Sequence, residues 1–447
     1  FDSPQWLGNG ALLVTGNEGE DADLDPIESE IYRVDLSSQA VTPLTQRDGP
    51  DFAPKVAPNG SRIAYLGYDD KLKSYQQNDV YLMAPDGSGV QNLTVNFDRS
   101  IDSIAWRPDS RALVGQTEVD GILTLVSIDL AGNVRNLVQD IGSFSVASKA
   151  GGSSPLIAYT KGSTNRPAEV AMTRGSGNGR QLTRLNEDAL GHLDLARIEE
   201  IKVASSHDGR EIEAWVALPP DFRPDGSFPM ILEIHGGPNT MYGPYFAAEI
   251  QRYAAQGYVT VYANPRGSTG YGEAFAQLID LDYPGNDHDD LMSVVDALLA
   301  KNYVSKDRLF ITGGSGGGVL TAWAVGKTDR FAAAASVKPV INWTSMALAG
   351  DIARFVSRHW FRAQPWEQPQ EYWRRSPLSI VNNVTTPTMV MVGEADWRTP
   401  AWEAEQFYTA LKVQNVDTVL VRVPGASHLI ARRPSQLIAK VDNIMGW

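Results

Sequence analysis

A chain of 447 residues is long for one domain and suits two or three. Its 43% hydrophobic and 21% charged residues can build sizeable cores, and a formal charge of -14 argues against a nucleic-acid binder, which needs a basic face. With no cysteine the chain has no disulfide, no thiolate nucleophile and no cysteine-ligated zinc.

No apolar run reaches the roughly 18 residues of a membrane span, and no signal peptide is visible. The chain opens on Phe1 rather than Met, so it is expected to be processed or truncated. Its compartment is left open, and so is a homo-oligomer.

Residues 1–195 carry a recurring β pattern. An apolar strand follows a turn in Ala57-Pro-Asn-Gly-Ser-Arg-Ile and again in Trp106-Arg-Pro-Asp-Ser-Arg-Ala. A second short strand follows, and the unit closes at Leu44-Thr45, Leu93-Thr94, Leu137-Val138 and Leu182-Thr183. The unit recurs about every 45 residues without helical periodicity, which predicts a β-propeller-like domain of about four blades. That is a low count for a ring, so upstream blades are expected to be missing. An acidic run through Asp21, Asp23 and Asp25 lacks a calcium-loop pattern and reads as a solvated loop. No metal and no cofactor is expected.

From 196 to 447 the texture changes to strands alternating with helices. An antiparallel pair is predicted over 201–205 and 211–218, then strands over 230–234, 258–262, 309–312, 332–337, 388–392 and 418–423. Several are continuous apolar runs, as expected for strands covered on both faces. Helices are predicted over 246–256, 291–301, 317–326, 401–412 and 435–445. The alternation predicts a doubly wound, mostly parallel sheet of the α/β-hydrolase class, with its site beyond the carboxyl ends of the strands.

There lies Gly313-Gly-Ser-Gly-Gly317, a strand that turns sharply into a helix with Ser315 at the tip. It fits the nucleophile-elbow pattern G-x-S-x-G and lacks the Lys-Ser/Thr ending of a phosphate-binding loop. A serine hydroxyl needs a base, itself oriented by a third group, and in this fold the chain order is Ser, acid, His. Two histidines follow Ser315. His359 precedes the best acid and sits in an insertion rich in Trp and Arg; His428 sits in the loop after the last strand, where the fold places its base. The acid is expected after the preceding strand, in Gly393-Glu-Ala-Asp396, with Asp396 preferred and Glu394 the runner-up. Oxyanion donors are expected at the N–H of Gly316 and in the His235-Gly-Gly-Pro238 loop, where Gly237 is the candidate.

Together His235-Gly-Gly-Pro, Asn264-Pro-Arg-Gly-Ser-Thr-Gly-Tyr-Gly272, the elbow, Gly393-Glu-Ala-Asp-Trp-Arg-Thr-Pro400 and Gly425-Ala-Ser-His428 resemble the prolyl oligopeptidase family of serine peptidases, in particular its acylaminoacyl-peptidase-like branch. The resemblance implies a propeller that restricts access (1–195) before a catalytic α/β-hydrolase domain (196–447). It also implies cleavage of short or N-acylated peptides through an acyl-enzyme, with Ser315, Asp396 and His428 as the triad. It places Trp343 and Met346 in the pocket for the residue whose acyl group is transferred, and Arg398 against the substrate backbone. Glu199-Glu200 lies outside the context in which a dipeptidyl-peptidase branch grips a free N-terminus, and 282–290 departs from the family pattern. An esterase or lipase on the same fold is the nearest alternative, and an inactive interaction protein is the second.

Overall fold

The computed structural model describes residues 2–447 except 21, 23, 26, 148–154 and 178. Asp21 and Asp23 of the acidic run therefore lie outside the described residues. The described residues form two compact units, one up to His192 together with Thr269–Ala274, the other Leu193–Ser268 with Phe275–Trp447. The short Thr269–Ala274 segment was not foreseen in the first unit.

The first unit is a β-propeller-like array. Its described residues make four antiparallel four-stranded sheets, over 2–43, 51–92, 101–139 and 141–181, each in sequential order. The repeated Leu-Thr pair has a physical reason. Leu44 donates its N–H to the carbonyl of Ile31 (2.7 Å), and Thr45 Oγ1 accepts the N–H of Ile31 (2.9 Å). Leu93 and Thr94 bond Val80 in the same way, as Leu182 and Thr183 bond Val170. The threonine hydroxyl thus continues the ladder where the outer strand ends. In the third sheet, where Val138 replaces the threonine, the outer strand Val134–Gln139 pairs along its length instead. Thr269–Ala274 joins this unit through Asp120 N–H to Gly270 O (2.9 Å) and Glu273 N–H to Asp98 Oδ1 (2.8 Å).

The second unit is built on an eight-stranded sheet. Its order is Arg197–Ala204, Glu211–Leu218, Val259–Asn264, Phe228–Ile234, Val304–Gly314, Ala333–Val337, Thr388–Gly393, Thr418–Val423. The first two junctions are antiparallel and the remaining ones parallel. Phe228–Ile234 comes before Val259–Asn264 in the chain but lies inside it in the sheet, next to Val304–Gly314. That crossing brings the loop after Ile234 beside the elbow.

Helices cover the sheet as the apolar runs require. Asp287–Ala300 buries Leu291, Val294, Val295 and Leu298 on one face. It begins four residues before its apolar stripe, with Asp287, Asp289 and Asp290 in its first turn, where acidic groups favour the helix dipole. Gly316–Lys327 is buried almost along its whole length and runs back beneath the sheet's central strands. The insertion between the sixth and seventh strands contains helices at Trp343–Ala349 and Pro369–Arg375 and a π-helical turn at Val356–Phe361, none of them placed from the sequence. No helix among the described residues is long and apolar enough to cross a membrane.

Candidate active site

The strand Val304–Gly314 ends and the helix Gly316–Lys327 begins on either side of Ser315, which holds φ 59° and ψ -119°. That conformation costs a side-chain-bearing residue energy and is sustained by its surroundings. A Cβ on Gly317 would stand 2.1 Å from the carbonyl oxygen of Ile234, and one on Gly313 would stand 2.7 Å from it. Only glycine allows the neighbouring strand so close, and the closeness forces the turn to project Ser315.

The Ser315 hydroxyl lies 3.0 Å from His428 Nε2. His428 Nδ1 lies 2.8 Å from Asp396 Oδ2 and 3.1 Å from Oδ1. Asp396 is buried, and its Oδ1 accepts the backbone N–H groups of Arg398 (3.0 Å) and Thr399 (2.9 Å), while the Thr399 hydroxyl donates to Oδ2 (3.1 Å). Both oxygens thus have hydrogen-bond donors, which holds the buried side chain in place. With the carboxylate holding Nδ1–H, Nε2 is left as an acceptor. A hydroxyl, an imidazole and a carboxylate linked in this order can move a proton from the serine while the carboxylate stabilises the imidazolium. Glu394 instead faces Arg422, 3.5 Å away. His359 is buried and stacks on Phe355 with ring centroids 4.6 Å apart.

Gly236 and Gly237 pack against the elbow. A Cβ on Gly316 would be 3.1 Å from the carbonyl carbon of Gly237 and 3.2 Å from its nitrogen. Gly237 has φ 110°, a region open to glycine, and a Cβ there would strike the Asn239 nitrogen at 2.7 Å. His235 anchors this loop from within. Its Nδ1–H donates to Gly236 O (2.7 Å), and its Nε2 faces the Ser268 hydroxyl (3.0 Å). Burial pulls its pKa down to about 4, so the ring is neutral at pH 7. Both ring nitrogens are engaged, and among the described residues no group of three His, Asp or Glu could hold a metal ion.

Ser315 opens onto a cavity of about 350 Å³ with an apolar wall that includes Tyr283, Val319, Val340, Trp343, Met346 and Trp360. Trp343 and Met346, singled out from the sequence, are both buried there. Arg398 lines the same cavity, half-exposed, and its Nε is bonded to Asp351. Three residues not singled out from the sequence belong to the site. Tyr283 donates its hydroxyl to Gly316 O (2.8 Å); it lies in the stretch whose departure from the family pattern was the one signal available. Trp360 joins from the insertion. Lys338 runs beneath the elbow, with its Cε 3.0 Å from where a Gly314 Cβ would be, and donates to the carbonyl of His428 at 2.8 Å. Burial and nearby Lys440 lower its pKa to about 8. Its positive φ of 44°, in the residue before Pro339, leaves no trace in the sequence.

Known proteins place this site in context. Residues 244–447 match the family model described as "Prolyl oligopeptidase family". An uncharacterized peptidase, YuxL, of Bacillus subtilis is 38% identical over 286 residues, covering 63% of this chain and 43% of that protein. Dipeptidyl-peptidase 5 of Porphyromonas gingivalis is 27% identical over 440 residues, covering 94% of this chain and 62% of that protein. The chain therefore spans less than two thirds of each of these relatives. The uncomplexed acylaminoacyl peptidase of Pyrococcus horikoshii shares the fold, with a TM-score of 0.85 at 24% identity, covering 99% of this chain and 70% of that one. The C-terminal residues 244–447 thus resemble the prolyl oligopeptidase family, and the whole chain shares the fold of the acylaminoacyl peptidase.

Proposed function

We propose that the protein is a serine peptidase that hydrolyses short or N-acylated peptides through an acyl-enzyme. The observation that carries this reading is the unbroken hydrogen-bond chain from the Ser315 hydroxyl through His428 to buried Asp396, at a turn that projects the serine into a cavity. Ser315 attacks the scissile carbonyl as His428 takes its proton. The tetrahedral oxyanion forms beside the adjoining backbones of Gly316 and Gly237, whose N–H groups we assign as its donors. His428 then protonates the leaving amine, and water reverses the sequence on the acyl-enzyme.

The apolar wall around Trp343 and Met346 receives the side chain on the acyl side of the cut bond (the P1 residue). Arg398, held by Asp351, faces the same cavity, and its guanidinium suits a substrate carbonyl or a blocked N-terminus. The catalytic role belongs to the hydrolase domain, expected over 196–447, and the gating role to the propeller-like domain, expected over 1–195. Gating rests on the family resemblance. The reading does not depend on oligomeric state.

An ester or lipid hydrolase would use the same triad, but the relatives are peptidases by name. The test compares an N-acetylated aminoacyl anilide, a dipeptidyl anilide with a free N-terminus and a short-chain ester, before and after treatment with an active-site phosphonate. Phosphonate-sensitive cleavage of either anilide is expected, and the preferred one distinguishes acylated from free N-termini. Ester cleavage without anilide cleavage would overturn the peptidase reading.

A further inference from the structure

Arg375 is 1% exposed, at the end of the helix Pro369–Arg375 in the insertion. Among the described residues no carboxylate lies within ion-pair distance of it, although isolating a cation from water is costly. Two of its nitrogens donate to main-chain carbonyls. Nε donates to Tyr283 O (2.9 Å) and Nη1 to Trp360 O (2.7 Å). Its own carbonyl accepts the indole N–H of Trp343 (3.0 Å). The guanidinium lies 4.0 Å over the Phe361 ring, which stacks on Tyr372 at 3.7 Å.

Tyr283, Trp343 and Trp360 are the three aromatic walls of the cavity at Ser315. They come from three separate parts of the chain and meet edge to face, with centroids 5.1 to 6.2 Å apart. The guanidinium bonds the main chain of Tyr283 and of Trp360, and the main-chain carbonyl of the same residue holds the Trp343 indole. A planar fork that reaches two carbonyls while stacking on a ring is a guanidinium arrangement; an ammonium cannot copy it.

We propose that Arg375 is a positioning residue that fixes the aromatic walls of the P1 pocket, and that its buried positive charge behind those walls biases the pocket against cationic P1 side chains. This rests on the peptidase reading above. Burial lowers the pKa of Arg375 only to about 10, so the charge persists at neutral pH. Shape and charge make separable contributions. A flat apolar P1 group gains from walls held in register, whereas a P1 lysine meets a like charge.

The test measures kcat/KM for N-acylated anilides with P1 Phe, Ala and Lys, together with p-nitrophenyl acetate, whose acyl group does not fill the pocket. Arg375→Lys keeps the charge without the fork; Arg375→Met removes both. The Phe/Ala preference should fall about tenfold in both variants, mainly through KM, while acetate hydrolysis changes less than about threefold. The Lys/Ala ratio should rise in Arg375→Met and stay low in Arg375→Lys. If the methionine variant fails to fold, the Phe/Ala ratio of the lysine variant decides the positioning claim. A Trp343→Lys variant, which puts a charge into the wall itself, should then lower the Lys/Ala ratio further for the charge claim to stand. An active wild type whose Phe/Ala ratio is unchanged in the folded variants overturns the Arg375 assignment alone. A wild type that cleaves neither anilides nor acetate overturns the peptidase reading and this assignment with it.

Discussion

Replacing Asp396 by asparagine changes one atom and is expected to cost nearly all turnover. Oδ1 of Asp396 accepts two backbone N–H groups, from Arg398 and Thr399. An asparagine must place its carbonyl oxygen there, because the flipped amide would turn its NH2 onto both donors. Each buried donor left unpaired costs about 1–3 kcal/mol, so the flipped form is not populated. The amide NH2 then occupies the place of Oδ2, 2.8 Å from His428 Nδ1. As a donor it makes Nδ1 the acceptor, and the ring proton moves to Nε2, 3.0 Å from the Ser315 hydroxyl. The base then points a proton at the proton it should remove. The loss expected for a wrong tautomer with intact geometry is about 10⁴ in kcat, or about 5.4 kcal/mol at 1.36 kcal/mol per decade. The assay is kcat on a saturating peptide anilide, with phosphonate labelling and thermal melting in parallel. Slow turnover and slow labelling on a fold of near-normal stability are expected. A folded Asp396→Asn variant within tenfold of the wild-type kcat would refute the reasoning.

Ser315→Ala should abolish both turnover and labelling while the melting temperature stays within a few degrees, since alanine meets the positive φ of 59° much as serine does and loses only the hydrogen bond to His428. Residual labelling there would mean another nucleophile. Gly317→Ala drives a methyl group against the Ile234 carbonyl, 2.1 Å away, and should cost about 3 kcal/mol and roughly 10 °C of melting temperature. A neutral result would show that the strand and elbow are not in register. Lys338→Met removes the donor to the His428 carbonyl and should lower kcat about tenfold, with Lys338→Arg recovering part of it. Equal rates in all three proteins count against a brace between elbow and base loop.

The last prediction concerns pH. Burial pushes the Asp287 carboxyl up to about 7, against bonds from Gly285 and His288 N–H that favour its charged form. A raised folded-state pKa means that native protein holds the proton more tightly. The stabilisation is then full below about pH 4 and is lost as pH rises through about 7. Asp287→Asn cannot ionise, so its melting temperature relative to wild type should climb across that window, by an amount corresponding to a few kcal/mol. A constant difference from pH 4 to 8 would sink the assignment.

Ser315, His428 and Asp396 could be singled out as candidates because each rests on a local signal. Gly313 to Gly317 announces a tight turn by composition alone, and His428 and Asp396 each follow an apolar strand by a few residues. Strand alternation with helices gave the parallel sheet, and the Leu-Thr repeat gave the blades. The helix before the elbow was placed too late, because acidic residues that favour its first turn do not carry an apolar stripe. The insertion hid its helices for a related reason. Val356–Phe361 winds as a π-helix, whose spacing does not match the 3.6-residue pattern used to find helices.

What the sequence by itself determined is thus the strands and helices of the sheet and their order, and the candidate residues at their ends. It also singled out Trp343, Met346 and Arg398 as candidates, through resemblance. Tertiary structure alone decided which distant groups meet them. Tyr283, Lys338, Trp360 and Arg375 reach the site because the sheet order and the insertion fold them there. Arg398 is tied to Asp351, 47 residues away in the chain. Local patterns report backbone preference and burial within one turn or strand. A hydrogen bond between remote segments leaves no period or spacing behind, since either partner alone satisfies the same local rules.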